Sequence, residues 1–341
     1  KQDNKQDGVI QMDAYAPPYS ISDKMLEFVA EISEKVGKIS SHTTLTARPY
    51  LRRNNRIRSI HSSLKIEANS LSMSEVREVI NGRLVLGDRQ EIQEVKNAYA
   101  AYEKISEINP TSISDLKRIH GIMTLGLGQE SGVFRKGDEG VFSDGKCIFL
   151  APPPHLVNGL MEDLFSWLQR NEKTVHPLIM AAIFHYEFVF IHPFADGNGR
   201  MARLWHTAML YRWRIIFEYI PLESQIERFQ KEYYDAIAKC HVNGNSNVFI
   251  EFMLDMINQI LDEVIVQLAK SGDDMSEYVK KLLSVMEHDA TYTAKAIMEM
   301  LGLKSRENLR KNYLNPAIEL GCVKMTLPDK PNSRNQRYIK I

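Results

Sequence analysis

The 341-residue chain lacks the features of several common protein classes. It has three cysteines, Cys147, Cys240 and Cys322, far apart and without the spacing of metal ligands. That excludes a disulfide scaffold and a cysteine-built zinc site, and it fits a reducing compartment, so a cytoplasmic location is expected. No run reaches the ~18 apolar residues of a membrane-spanning helix. The first residues are polar and charged, unlike a secretory signal, so no leader and no membrane partner are expected. Net charge is also missing: 43 basic residues face 43 acidic ones, so no whole-chain field singles out nucleic acid or a membrane surface. There is no internal repeat and no low-complexity tract. Length alone allows about two or three domains.

What is present is concentrated in one stretch, Ile191-His192-Pro193-Phe194-Ala195-Asp196-Gly197-Asn198-Gly199-Arg200-Met201-Ala202-Arg203. An apolar segment, 178–190, precedes it and a second helical pattern, 204–213, follows, so it reads as helix, tight loop, helix. Asn198, Gly199 and Arg200 then open the second helix, where free backbone N–H groups and the positive dipole end bind anions. Gly197 and Gly199 let a backbone approach phosphate oxygens. Arg200 and Arg203 share a helix face and suit phosphates. His192 suits a general base near neutral pH. Asp196 suits a hard cation such as Mg²⁺ between phosphates. Together they point to transfer of a phosphate-containing group from a nucleotide.

The rest of the chain reads as mostly helical. A polar arm with prolines runs to Pro18, and Ser22 caps a helix with Met25, Phe28, Val29, Ile32 and Val36 on one stripe. The segment 48–72 contains another helix, with Ile60, Leu64 and Glu67 on one face; Ser63 and Glu67, four apart, can hydrogen-bond. Asn69-Ser70 is expected to end it, and Ser72 or Ser74 to cap the next. Helices follow over 74–80, over 91–105, and from Ser114, where His120 reads as a core histidine. Residues 131–149 change character: Gly-rich, with short apolar pieces around Ser143-Asp144-Gly145, they read as a β-hairpin. Helices over 156–168 and from Pro177 lead into the loop, with His185 as a packing histidine. Tyr233 and Tyr234 lie on a later helix with Phe229, Ile237 and Cys240. A long apolar helix, 248–268, is followed by Ser271-Gly272-Asp273-Asp274, read as a linker. Beyond it, helices over 278–287, 293–301 and 307–320 (the last interrupted by Pro316) and two strands at 322–326 and 336–341 give the winged-helix order. Arg306, Arg310, Lys311, Lys324, Lys330, Arg334, Arg337 and Lys340 would permit DNA contact through phosphates without establishing it.

The 192–203 stretch resembles the signature HPF-x-[DE]-GN-G-R-x-x-R of the Fic family, with every fixed position filled. The resemblance covers residues 19–268, roughly. It implies an all-α fold: a Fic-type helical bundle with a small β-hairpin flap, followed by a C-terminal winged helix. The implied division is an N-terminal helical region (1–110) with an inhibitory helix near 55–69, a Fic core (111–270) and a winged-helix-like domain (275–341). The implied activity is transfer of AMP from ATP to a Tyr, Thr or Ser hydroxyl of a target protein, with Mg²⁺ as cofactor. In that scheme His192 is the base, Asp196 holds Mg²⁺, and the backbone at Gly197, Asn198 and Gly199 cradles phosphates. Arg203 orients the γ-phosphate and Arg200 braces the loop or a phosphate. Gly132-Val133-Phe134-Arg135 matches a Gly-x-x-Arg that precedes the family's flap, and Tyr233-Tyr234 resembles its nucleoside-contacting pair. Ser63 and Glu67 match the inhibitory motif [ST]-x-x-x-E-[GN], whose glutamate pairs with the second arginine. Ala68 departs from that motif, so Asn69 is expected to terminate the helix instead. Self-modification and a homodimer are further implied partners. Three alternatives stay open: another reaction at the same site (AMP removal, phosphate or UMP transfer), a DNA-binding regulator, and an adaptor with an idle site.

Overall fold

The computed structural model describes residues 15–41, 49–128, 130–143, 146–274, 276–287, 290–320, 322–331 and 333–340. The polar arm before Tyr15, Arg48 and the turn at 144–145 lie outside them, as does the Cys147 side chain.

The apolar stripe of the first helix becomes α1 (Asp23–Ser41), opened by Ser22, whose Oγ accepts from Met25 N–H. The second, α2 (Pro49–Ile66), buries Ile60 and Leu64. A short α3 (Met73–Ile80) starts in a capping box, Ser72 with Glu75. Then α4 (Arg89–Tyr102) starts at Asp88, which accepts from Gln90 and Glu91 N–H, and α5 (Ile113–Met123) starts at Ser112 rather than Ser114. Both starts lie upstream of the expected ones because a side chain there satisfies the first-turn N–H groups.

The hairpin forms as expected: β1 (Gly140–Ser143) pairs antiparallel with β2 (Lys146–Leu150), Gly140 opposite Leu150, with a bulge at Val141/Phe142. Next come α6 (Pro154–Asn171), α7 (Pro177–Ile191) and α8 (Asn198–Trp213). α7 is apolar on all sides and accordingly buried on nearly all of them. α7 and α8 pack against each other and carry the 192–197 loop at their shared end. Around them lie α9 (Leu222–Arg228), α10 (Gln230–Asn243) and α11 (Asn247–Asp274), with α1 against α11 and α2 against α9 and α4. One hydrophobic cluster runs through this region, from Met25 to Val264. The expected linker at 271–274 is instead the end of α11. A single helical glycine, Gly272, costs only about 1 kcal/mol relative to alanine, too little to break a helix this long.

A second cluster, including Val279, Leu282, Ile297, Leu309 and Tyr313, belongs to the C-terminal part. There α12 (Glu277–Val285), α13 (Ala294–Leu301), α14 (Arg306–Asn308) and α15 (Asn315–Glu319) accompany a three-stranded antiparallel sheet. Its strands are β3 (Thr291–Thr293), β4 (Val323–Met325) and β5 (Arg337–Lys340), with β5 in the middle. β3 was not legible: three residues leave no room for an alternating pattern. The interruption expected at Pro316 falls upstream, as a π-helical segment over Leu309–Leu314. Pro316 then sits in the first turn of α15, where its missing N–H is harmless. The eight basic residues do not all face outward: Lys340 Nζ donates to the carbonyls of Leu283 and Met286.

Candidate active site

α7 ends on His192, whose backbone is left-handed (φ 51°, ψ 59°). For a residue with a Cβ that conformation costs roughly 1–2 kcal/mol, so its surroundings must hold it. They do. His192 N–H donates to Phe188 O, and His192 O accepts from Arg135 Nε at 2.7 Å. Arg135 N–H donates to Pro193 O. The next residue, Phe194, is fully buried between His120, Phe134 and Phe188. Asn198 closes the loop over it: Asn198 Oδ1 accepts from Phe194 N–H (3.0 Å) and its Nδ2 donates to Phe194 O (2.7 Å). The Asn198 side chain is therefore spent on the loop, and only its backbone N–H is left at the helix start.

His120, read from the sequence as a core histidine, is buried but also supports the site. Its ring stacks on Phe194, centroids 3.6 Å apart and 4° from parallel. Its Nδ1 accepts from Gly132 N–H, so its Nε2 carries the proton and donates to Asp196 O at 2.9 Å. Burial lowers its pKa and keeps it in that neutral form.

The His192 ring has Nδ1 3.4 Å from Val189 O. A proton there leaves Nε2 free to accept one. Burial lowers the His192 pKa below its ordinary value and the nearby Arg135 guanidinium adds to this, while the bond to Val189 O, Glu67 and Asp196 act in the opposite direction. The shift favours the neutral form of the ring.

α8 begins immediately after Gly197 (φ 79°), with the N–H groups of Asn198, Gly199 and Arg200 in its first turn. Asp196 bends back onto this turn, one oxygen accepting from Gly197 N–H and both from Arg200 Nη2 at 2.8 Å. Arg200 is buried, with Nη1 3.6 Å from Glu94 Oε1, and its Nε has no hydrogen-bond partner among the described residues.

Arg203, one turn on, has a side chain only 1 % exposed. It reaches the end of the neighbouring α2. Its Nε donates to Ser63 Oγ (3.1 Å), and its Nη2 donates to Ser63 O (2.9 Å) and Glu67 Oε1 (2.7 Å). Burial alone would lower the Arg203 pKa, but Glu67 and its neighbours outweigh it and raise it above the ordinary guanidinium value. The Glu67 carboxylate lies against Gly199: a Cβ there would run into Glu67 Oε1 and Arg203. The anion position at the start of α8 thus holds the protein's own carboxylate. A direct Ser63–Glu67 bond is replaced by this arrangement, because the guanidinium fork offers both residues a charged donor.

α2 ends in a Schellman turn, with Asn69 N–H on Leu64 O and Ala68 N–H on Lys65 O. The left-handed residue is Ala68 (φ 66°), not Asn69. Asn69 instead donates from Nδ2 to Glu94 Oε2 and accepts from Leu71 N–H. Tyr233 lies on α10. It is buried behind Arg203, with its hydroxyl 2.9 Å from His185 Nε2, and burial raises its pKa. Tyr234, by contrast, is about half exposed, its ring 5.2 Å from that of Tyr233. His185 is a packing histidine: burial, then His206 and Arg203, hold its pKa well below the ordinary value. Sequence reasoning assigned no role to Arg135 beyond its place in Gly132–Arg135, and none to Glu94; nothing local in the sequence reports either contact.

Among the described residues no group of three or more His, Cys, Asp or Glu forms a metal cage, and no helix is long and apolar enough to cross a membrane. Asp196 fits a Mg²⁺ ion held by one carboxylate and completed by substrate phosphates and water.

Residues 110–210 match the model of the Fic/DOC family, and residues 277–339 match that of the filamentation induced by cAMP protein Fic-like, C-terminal domain. A Fic family protein from Desulfovibrio desulfuricans G20 is 39% identical and superimposes with a TM-score of 0.73 over 96% of this chain and 98% of that one. Fic-1 from C. elegans, 22% identical with a TM-score of 0.60 over 72% of this chain and 73% of that one, shares the fold. The protein adenylyltransferase Fic of Aedes aegypti is 31% identical over 215 residues, which is 60% of this chain and 41% of that protein. The chain thus spans about two fifths of the length of the curated relatives it matches.

Proposed function

This chain belongs to the Fic family, and from that premise we propose that it transfers AMP from ATP to a hydroxyl side chain of a protein, at a site that Glu67 holds closed. The observation that carries the proposal is the pairing of a neutral, anchored His192 with a helix-start anion position, occupied by Glu67 and backed by Arg203. A phosphate chain needs that same position and the same guanidinium.

With Glu67 displaced, Arg203 takes the terminal phosphate of ATP, and the N–H groups of Asn198, Gly199 and Arg200 donate to phosphate oxygens near the reacting phosphorus. Arg200 holds Asp196 in place. Asp196 is the residue to hold Mg²⁺, which when bound offsets phosphate charge. His192 Nε2 takes the proton of the attacking hydroxyl as its oxygen bonds to the α-phosphorus; the bond to the β-phosphate oxygen breaks and pyrophosphate leaves. A positioned base contributes ~10²–10⁴ in rate. Tyr234 is the aromatic left available to the nucleoside, while Tyr233 supports it from behind. The C-terminal unit, with its helices and three-stranded sheet, supports a winged-helix reading.

The test uses Glu67→Gly protein with ATP labelled at either phosphorus. Label from the α-phosphate is expected on protein, and Glu67→Gly with His192→Ala should lose it by at least ~10². Label from the γ-phosphate instead would make the enzyme a kinase and overturn the proposal.

A further inference from the structure

Arg135 is the most heavily engaged buried side chain outside the 192–203 stretch that touches it. It is 3 % exposed and uses its guanidinium on four main-chain carbonyls. Nε donates to His192 O (2.7 Å), Nη1 to Gly137 O (2.8 Å), and Nη2 to Pro152 O (2.6 Å) and Ile191 O (3.3 Å). Gly137 lies just before β1 and Pro152 just after β2, where Ala151 N–H also donates to Glu139 O. One cation therefore joins both feet of the hairpin to the last carbonyls of α7. Those carbonyls are the negative end of the helix dipole, and a buried cation is the matching partner. Four carbonyls so arranged do not pack a side chain into a core. They fix the residue whose backbone is strained and whose ring must aim at the substrate.

We propose that Arg135 is the positioning residue of His192, holding its left-handed backbone and hence its ring direction through a clamp shared with the hairpin. The proposal rests on the reading of His192 as the base. Arg135 touches no part of the phosphate position, which is formed by the start of α8 with Arg203 and Asp196. Its loss therefore separates base placement from nucleotide binding.

The test compares Glu67→Gly with the same protein carrying Arg135→Gln or Arg135→Lys. The glutamine keeps donors but no charge; the lysine keeps charge but not the fork. Both should bind Mg²⁺-ATP as the parent does, and both should lose about 10² in transfer rate through misplacement of the base. The groups that face His192 electrostatically are Arg135, Asp196 and, in the wild type, Glu67. Arg135→Gln removes the one cation among them, so the acid limb of the rate profile should move to higher pH; with Arg135→Lys it should stay. A Gln variant with parental rate and limb overturns the proposal. So does a parallel loss of rate, ATP binding and thermal stability, which a merely structural arginine would give. If the Glu67→Gly parent labels nothing, the function proposed above fails, yet NMR titration of the His192 ring still decides this one. An upward shift in Arg135→Gln supports the clamp, and an unchanged titration overturns it.

Discussion

At the end of α7 the His192 imidazole sits where burial and a neighbouring guanidinium both favour the neutral form. A base must be unprotonated to act, so transfer falls as pH drops through the pKa of this ring. Because that pKa is depressed, the acid limb of the pH–rate profile of Glu67→Gly should lie below 6.5, the ordinary histidine value. An acid limb above that value would mean that the group titrating is not His192. At this scale the sequence was informative about identity and poor about use. His192, Asp196 and the two arginines were legible because their residue types occur close together in one loop. Asn198 was legible as a motif residue, but not as the clip that closes the loop over Phe194. Tyr233 and Tyr234 look alike in sequence; only packing decides that one is sealed and the other open.

At the scale of elements, caps and periodicity carried the reading well. Ser22 and Ser72 start helices because their side chains satisfy first-turn N–H groups, and Ser112 does the same two residues before the expected Ser114. The end of α2 is less ordinary. Its Schellman turn needs a left-handed residue, which glycine adopts freely, and this chain places Ala68 there. The strain is about 1 kcal/mol or slightly more, and it sits one residue from Glu67. Ala68→Gly should therefore raise stability in denaturant titration by about 1 kcal/mol, and Ala68→Val should lower it. A less stable glycine variant would contradict the left-handed turn. The helix end expected at Asn69 was misplaced because the sequence offers no glycine, and asparagine is the usual substitute. The long α11 was cut short in sequence reading for the opposite reason: Gly272 beside two aspartates looks like a break, yet the helix passes through it.

At the scale of the whole molecule, what matters is a contact between residues far apart in the chain. Arg203 meets Ser63 and Glu67 across the bundle, and Arg135 meets the end of α7 and both feet of the hairpin. No periodicity reports such pairs. The first was anticipated only through resemblance, and the second not at all. A hydrophobic cluster running from Met25 to Val264 makes the first possible, since it holds α2, α7 and α8 in one body. Coupling between sites is usually worth ~1–3 kcal/mol, or ~5–150-fold. The Arg203–Glu67 pair, whose guanidinium is sealed while its carboxylate is partly exposed, should fall within that range. The most direct test is the intact mass of the full chain after incubation with Mg²⁺-ATP, wild type beside Glu67→Gly. The account predicts a gain equal to one or more AMP groups in the variant and far less in the wild type. Equal gain in both would contradict closure by Glu67, and no gain in either would contradict AMP transfer to its own chain.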